Sequence, residues 1–331
     1  MFVPDQAELN AIWYGARPVQ LRLRAMAALF ANVASLRRGL YRAGILRSMR
    51  FPVPVVVVGN ISVGGTGKTP LVIGLVHALR ERGWRPGVIS RGYGGSATTA
   101  QRVTVPVNPA IVGDEPAVIA ELTGAPVAVG RRRVEAARLL LDEIDVLIAD
   151  DGLQHYALAR DVEICVVDGE RRFGNEQILP AGPLREPLSR LGNVDFRVCN
   201  GGNPKPGETL MTLEGDTAVS LTDPKHVQPL SGFVEQGVHA IAGIGNPGRF
   251  FASLRSKGLR VIEHPFPDHH AYRVEDLDFG DGLPLLMTSK DAIKCREFAR
   301  GSWWSVPVRA TLATAFLDAV ADRCSEVARR S

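Results

Sequence analysis

The sequence predicts an α/β protein: a mostly parallel sheet with helices on both faces, plus a second smaller α/β domain and an N-terminal amphipathic helix. Three observations carry this. Five of the six residues Val53–Val58 are valine, a run suited to a strand buried on both faces. A Gly-rich turn follows it, and then an apolar pattern of helical period at Leu71, Leu75, Val76 and Leu79. A second strand–helix–strand pattern begins at Val238–Gly243, with Pro247–Lys257 as helix and Leu259–Glu263 as strand.

Between the first strand and its helix, Ser62–Thr69 reads SVGGTGKT. Strand, loop and helix come in the order of a phosphate-binding P-loop, so the fold class is P-loop NTPase-type. The glycines allow backbone N–H groups to close around phosphate oxygens with no Cβ in the way. Ser62, Val63, Gly64, Gly65, Thr66 and Gly67 would form the ATP cradle. Lys68 would reach the β- and γ-phosphates, and the Thr69 hydroxyl would bind Mg²⁺. Ser62 stands where the usual motif begins with Gly, which is the one departure from it.

With 331 residues, 45% apolar and 22% charged, the chain has the composition of a globular protein with a sizeable core. The formal charge of +4 is unevenly placed: residues 1–50 hold eight arginines against Asp5 and Glu8, which leaves the rest slightly acidic. The basic character therefore belongs to the N-terminus, and nothing points to nucleic acid. The four cysteines are far apart and lack metal-ligand spacing, as expected of core thiols in a reducing compartment. No obligate protein partner is evident.

The N-terminal stretch Val19–Ile45 repeats apolar residues at Leu21, Ala25, Leu29, Val33, Leu36 and Leu40, widened by Met26 and Phe30. Arg22, Arg24, Arg37, Arg38 and Arg42 bracket this stripe. Its uncharged run, 25–36, is shorter than the roughly 20 residues a spanning helix needs. Two readings stand: a helix lying in a membrane interface with arginines on anionic headgroups, or an amphipathic helix packed on the domain. Trp13 and Tyr14 just before it favour the interface.

Further along, Arg85–Ser90 reads as a strand ending in Arg91-Gly-Tyr-Gly-Gly. Asp114 and Glu115 precede Pro116 at the start of a helix, so Asp114 either caps that helix or serves chemistry. Arg131–Leu141 reads as a helix opening on three arginines. Cations are unfavourable there, so the run is either solvated or facing an anion. The apolar strand ending in Asp150 and Asp151 has the Walker B pattern, whose carboxylate holds Mg²⁺. His155 follows four residues later, and Arg185-Glu186 lies in a Pro/Gly-rich loop that is either a binding loop or a linker turn. Gly243–Gly248 matches GxGxxG in letters, but no acidic residue closes a strand at the right distance. In Asp268-His269-His270, adjacent side chains of extended chain diverge, so either one imidazole serves the site and the other is solvated or structural, or the three bind a metal without the usual i, i+4 spacing. Ser289-Lys290-Asp291 at the end of a strand lacks the Lys-x-Asp spacing of a guanine-reading loop. The expected organisation is a membrane-associating segment over 1–48, a P-loop kinase core over 49–200, a hairpin-like connection over 201–235 and a C-terminal α/β domain over 236–331.

Taken together, GNISVGGTGKTP, SRGYGG, GDEP, IADDGLQH, LPAGPLREP and FPDHHAY resemble the tetraacyldisaccharide 4′-kinases of lipid A biosynthesis. The six blocks keep their order over nearly the whole chain, and that family tolerates Ser at the first loop position. The resemblance implies transfer of the γ-phosphate of ATP to the 4′-hydroxyl of an acylated glucosamine disaccharide phosphate at the cytoplasmic face of the inner membrane. It implies two α/β domains with the site between them, and a helix that meets the bilayer. It places Asp114 as base, paired with His269, beside Lys68. It puts Thr69, Glu115, Asp150 and Asp151 around Mg²⁺, and Arg131, His155, Arg185 and Glu186 around the lipid headgroup. A P-loop ATPase or GTPase of the assembly or metallochaperone type shares the loop and the Walker B strand. It leaves the Asp114 and His269 blocks unexplained. A soluble small-molecule kinase requires the N-terminal helix to be a packed core element.

Overall fold

The computed structural model describes residues 6–330; Asp5, with the rest of 1–5, and Ser331 lie outside them. Helices α1 (Gln6–Trp13) and α2 (Leu21–Arg42) come first. The first unit continues through β1 (Val55–Gly59), α3 (Lys68–Glu81), β2 (Pro86–Ser90), β3 (Gln101–Arg102), α4 (Pro109–Val112), α5 (Asp114–Thr123) and β4 (Val127–Val129). It then adds α6 (Arg133–Arg138), β5 (Val146–Ala149), β6 (Val162–Asp168), β7 (Phe196–Asn200) and β8 (Glu208–Glu214). The second unit holds β9 (Thr217–Ser220), β10 (Val227–Pro229), β11 (Gly237–Ala242), α7 (Pro247–Ser256), β12 (Arg260–Pro265), β13 (Leu285–Thr288), α8 (Ser289–Cys295) and β14 (Trp303–Val306). Strand β15 (Arg309–Leu312) and helix α9 (Thr314–Ala328) end the described chain.

The first sheet runs β15-β8-β7-β6-β1-β5-β2-β4-β3, with antiparallel pairing only at its two edges. β1 is central because its valines serve both faces. Val56 and Val58 pack with α3, α5 and α9, whereas Val55 and Val57 pack with α6 and the loops beyond β6. Each fully buried valine contributes about 1.5–3 kcal/mol relative to an exposed one. The second sheet runs β10-β9-β14-β13-β11-β12, with β11–β14 parallel.

The chain crosses between the sheets twice, at 215–216 and at 307–308, so the expected boundaries move. The segment 201–235 is no free connection, because β8 extends the first sheet and β9 and β10 extend the second. Residues 309–328 return to the first unit. β15 pairs with β8, and Phe316, Val320 and Cys324 of α9 enter the core shared with β1. The second unit is thus an insertion between two paired strands. The physical cause is the apolar stripe of α9, which finds its complementary face on β6 and β7 through contacts such as Phe316 against Phe196.

Helix α2 docks through Leu23 and Ala27, which pack with Ile12, Trp13 and Ala181. The predicted stripe lies elsewhere: Leu29, Val33 and Leu36 are 67%, 59% and 66% exposed. Trp13 is not an interface ring. It is buried, and its indole N–H donates to the Pro180 carbonyl. Tyr14 lies beneath the Arg171 guanidinium. Among the described residues, no helix is long and apolar enough to cross a membrane.

Candidate active site

Ligands of open parallel sheets bind beyond the carboxyl ends of the strands. Here those ends carry nearly every candidate. β1 leads into the phosphate loop, β5 into Asp150 and Asp151, β7 ends on Asn200, and β12 leads into His269. The loop is held from three sides. Val63 N–H donates to the Pro183 carbonyl at 2.8 Å, Asn60 Nδ2 donates to Thr66 Oγ1, and Asn200 Nδ2 donates to the Thr66 carbonyl at 3.0 Å. Gly67 caps α3 at φ +91°, and a Cβ there would lie 2.2 Å from Asn200 Nδ2. Gly67→Ala therefore strains the backbone and displaces Asn200. At about 1–3 kcal/mol of strain, titration of the variant with ATP should show roughly tenfold or greater loss of affinity. Unchanged affinity would contradict that reading of the loop.

Lys68 Nζ lies 3.6 Å from Asp151 Oδ1, and Arg185 Nη1 lies 3.1 Å from Asp151 Oδ2. These cations outweigh burial and hold the Asp151 carboxyl far below the usual range. The neighbouring Asp150 is the opposite case. Burial first, then Glu115 and Asp151, push its carboxyl up to about 7. Its Oδ2 accepts from Ser90 Oγ at 3.4 Å, while the enclosed Oδ1 has no hydrogen-bond partner. A buried carboxylate oxygen with no partner, beside Lys68 and Glu115, suits a hard cation. Thr69, Glu115 and Asp150 offer oxygen donors of the type Mg²⁺ takes. Asp151, the fourth expected ligand, is paired with Lys68 and Arg185, as Glu115 is paired with Lys290. Among the described residues, no three His, Cys, Asp or Glu side chains form a metal cage by themselves. Mg²⁺ sites shared with nucleotide phosphates and water do not require one.

Asp114 opens α5 and is buried, and its Oδ2 lies 3.0 Å from His269 Nδ1. Burial raises the carboxyl's pKa, but the His269 hydrogen bond, Lys294 and Lys290 outweigh it, so the net shift is downward. His269 has φ +62°, the left-handed region that non-glycine residues rarely adopt. That kink sends the two imidazoles apart. His270 Nε2 lies 3.3 Å from Asp276 and packs on Phe266 and Tyr272, the structural role expected of one of the pair.

The four headgroup candidates divide. Arg131 is exposed. His155 has an enclosed Nε2 with no partner, and burial followed by Arg133, Arg160 and Arg37 lowers its pKa to about 4. Arg185 is engaged with Asp151, and Glu186 is buried among Gln154, Tyr156, Arg190 and Arg38 of α2. Of the three arginines at 131–133, the buried one is Arg133, whose Nη2 donates to the Asp151 carbonyl at 2.8 Å. Arg133, Asn200, Lys290 and Lys294 escaped sequence reasoning. The clearest signal was Lys290 at the end of a strand. The GxGxxG letters at 243–248 have another use: a Cβ on Gly245 would lie 2.6 Å from the Gly65 nitrogen, so the loop abuts the phosphate loop.

A phosphate loop, a Walker B strand and a carboxylate–imidazole pair closed across two α/β units define a P-loop phosphotransferase. The profile of the tetraacyldisaccharide-1-P 4′-kinase family (LpxK) matches residues 19–325, and the chain belongs to that family. It is 50% identical to a tetraacyldisaccharide 4′-kinase of Methylobacillus flagellatus over 322 residues, 96% of each chain. It is 51% identical to one of Xanthomonas euvesicatoria pv. vesicatoria, again over 96% of each. The crystal structure of LpxK from Aquifex aeolicus in complex with ATP superposes with a TM-score of 0.76 at 29% identity. The match covers 92% of this chain and 97% of that one.

Proposed function

We propose that this cleft transfers the γ-phosphate of ATP to the 4′-hydroxyl of tetraacyldisaccharide 1-phosphate, with Asp114 as base. The observation that carries the reading is the 3.0 Å contact between Asp114 and His269, made across the two units. A sugar hydroxyl is a poor nucleophile and needs a positioned proton acceptor. Asp114 accepts that proton, and His269 stabilises the carboxylate beforehand and shares its charge afterwards. Lys68 and the amides of residues 62–67 stabilise charge on the transferring group. Arg185 shares Asp151 with Lys68 and so holds the Lys68 side chain at the loop. Thr69, Asp150 and Glu115 would hold Mg²⁺, which would supply neutralisation of phosphate charge.

Arg131 and His155 serve the acidic headgroup. His155, neutral among Arg37, Arg133 and Arg160, fits beside a phosphate whose charge those arginines offset. Glu186 acts indirectly, by fastening Arg38 of α2 to the loop that carries Arg185.

We place the protein at the cytoplasmic face of the inner membrane, and the exposed face of α2 supports the interfacial part of that reading. Met26, Leu29, Phe30, Val33 and Leu36 leave an apolar stripe of α2 exposed, with Arg22, Arg24, Arg37 and Arg42 also exposed on the helix. Such a helix binds an interface through apolar burial plus attraction to anionic lipid. Wild type is expected to float with vesicles containing phosphatidylglycerol. A variant with Gln at Arg22, Arg24, Arg37 and Arg42 should remain at the bottom. Arg38 is left intact because it lies 3.6 Å from Glu186. Failure of wild type to float would remove the membrane reading.

The direct test of function uses labelled ATP with tetraacyldisaccharide 1-phosphate as acceptor. Label is expected in the lipid product. Release of inorganic phosphate alone would favour an ATPase instead.

A further inference from the structure

Helix α8 belongs to the second sheet but reaches into the first unit. Its register on the second unit is fixed by Asp291, whose carboxylate accepts from Gly243 N–H, Tyr272 Oη and Thr288 Oγ1. On the other side Ile293 packs among Val112, Ala117, Val118 and Val129, and Arg296 lies 2.6 Å from Glu121 of α5. A helix mounted this way presents its side chains to the first turn of α5 with little freedom.

Two of those side chains are lysines four residues apart, a spacing that places them on one helix face. Lys294 Nζ donates to the His270 carbonyl at 3.1 Å and lies 3.8 Å from Asp114 Oδ2. Lys290 Nζ lies 2.9 Å from Asp268 Oδ1 and 3.4 Å from Glu115 Oε1. Asp268 immediately precedes His269, and Glu115 immediately follows Asp114. One ammonium therefore joins the neighbour of the imidazole to the neighbour of the carboxylate. We propose that Lys290 is a positioning residue for phosphoryl transfer, a cross-unit clamp that sets His269 against Asp114.

Two physical arguments support the assignment, which rests on the Asp114–His269 reading above. Without Lys290, Asp114, Glu115 and Asp268 bring three like charges to the joint where the units meet with only Lys294, 3.8 Å from Asp114, to offset them, and that repulsion loosens it. The clamp also acts beside a strained position of the backbone. His269 holds a left-handed backbone that persists only when its surroundings over-determine it, and the contact at Asp268 lies one residue away. Lys290 keeps only 16% of its side chain exposed, so its pairs are screened far less than those of a surface lysine.

The test uses the full-length chain with ATP and tetraacyldisaccharide 1-phosphate, in steady state and single turnover. Lys290→Met is expected to lower kcat by roughly tenfold to a hundredfold, the usual penalty for small misplacement of a reacting pair. KM for ATP should change much less than kcat. Lys290→Arg, which keeps the charge, should recover most of the loss. In an Asp114→Asn background, Lys290→Met should cost little more, because a residue acting through another is not additive with it. Asp268→Asn, which removes the other end of the clamp, should reproduce the kcat loss and keeps the test decisive if Lys290→Met fails to fold. Wild-type kcat in Lys290→Met or Asp268→Asn would overturn the proposal. So would a loss that Arg does not recover, or one repeated in full in the Asp114→Asn background. Wild-type turnover in Asp114→Asn alone would instead sink the assignment of the base and leave the clamp without its purpose.

Discussion

Asp114→Ala is expected to lower kcat by roughly 10²–10⁴-fold, the range that positioned proton transfer contributes. KM for ATP should stay nearly unchanged, because the phosphate loop is built from residues 62–69 and braced by Pro183, Asn60 and Asn200 rather than by Asp114. An equal fall in kcat and kcat/KM identifies an interaction made only in the transition state. The control concerns folding. Asp114 is in the first turn of α5, where a carboxylate favours the helix by about 0.3–1 kcal/mol. The variant also loses the buried contacts with His269 and Lys294, so thermal unfolding should shift to lower temperature, and the kinetics are read below that transition, where the protein remains folded. Asp114→Asn keeps size and hydrogen bonding but removes basicity, and should lose nearly as much turnover. Wild-type turnover in either variant would exclude Asp114 as the base.

How much of this could be read beforehand differs from residue to residue. The phosphate loop was legible because its chemistry is local. Eight consecutive residues after a valine strand contain the turn, the lysine and the hydroxyl. The Walker B strand was legible for the same reason, yet its two carboxylates look alike in sequence. Only packing separates Asp150, enclosed with a partnerless oxygen, from Asp151, held between Lys68 and Arg185. The pairing of Asp114 with His269 spans 155 positions and came from resemblance rather than from pattern. Lys290 stood out only by its place at the end of a strand, which does not show that it reaches two carboxylates 175 and 22 positions away. Trp13 misled because an aromatic ring before a basic helix has the same letters at a bilayer surface and in a core. The acceptor of its N–H, the Pro180 carbonyl, is 167 positions distant. The second unit's boundaries were misplaced because β15 and β8 pair across the whole insertion, which no local composition records.

Lys68→Ala should reduce phosphoryl transfer by about 10²–10³-fold or more, the cost of deleting one preorganised charge at a developing anion. The overall fold should persist, because Lys68 opens α3 while the core contacts of that helix belong to Leu71, Val72, Leu75, Val76 and Leu79. A second consequence separates lost charge from lost shape. Lys68 is among the cations that restrain the Asp150 carboxyl, which burial, Glu115 and Asp151 together raise from an ordinary 3.8 to about 7. A carboxyl with a raised pKa binds more protons folded than unfolded, so stability falls as pH rises from the ordinary value through the folded one. Without Lys68 the carboxyl rises further, and the decline becomes steeper. Melting temperature measured between pH 5 and pH 8 should therefore drop more in Lys68→Ala than in wild type. Lys68→Arg should lie close to wild type in this respect, because it restores the charge, and still transfer poorly, because a planar guanidinium does not reproduce a compact ammonium. Parallel melting curves for wild type and Lys68→Ala would show that Lys68 does not restrain Asp150, and the electrostatic account of this corner of the site would have to be rebuilt.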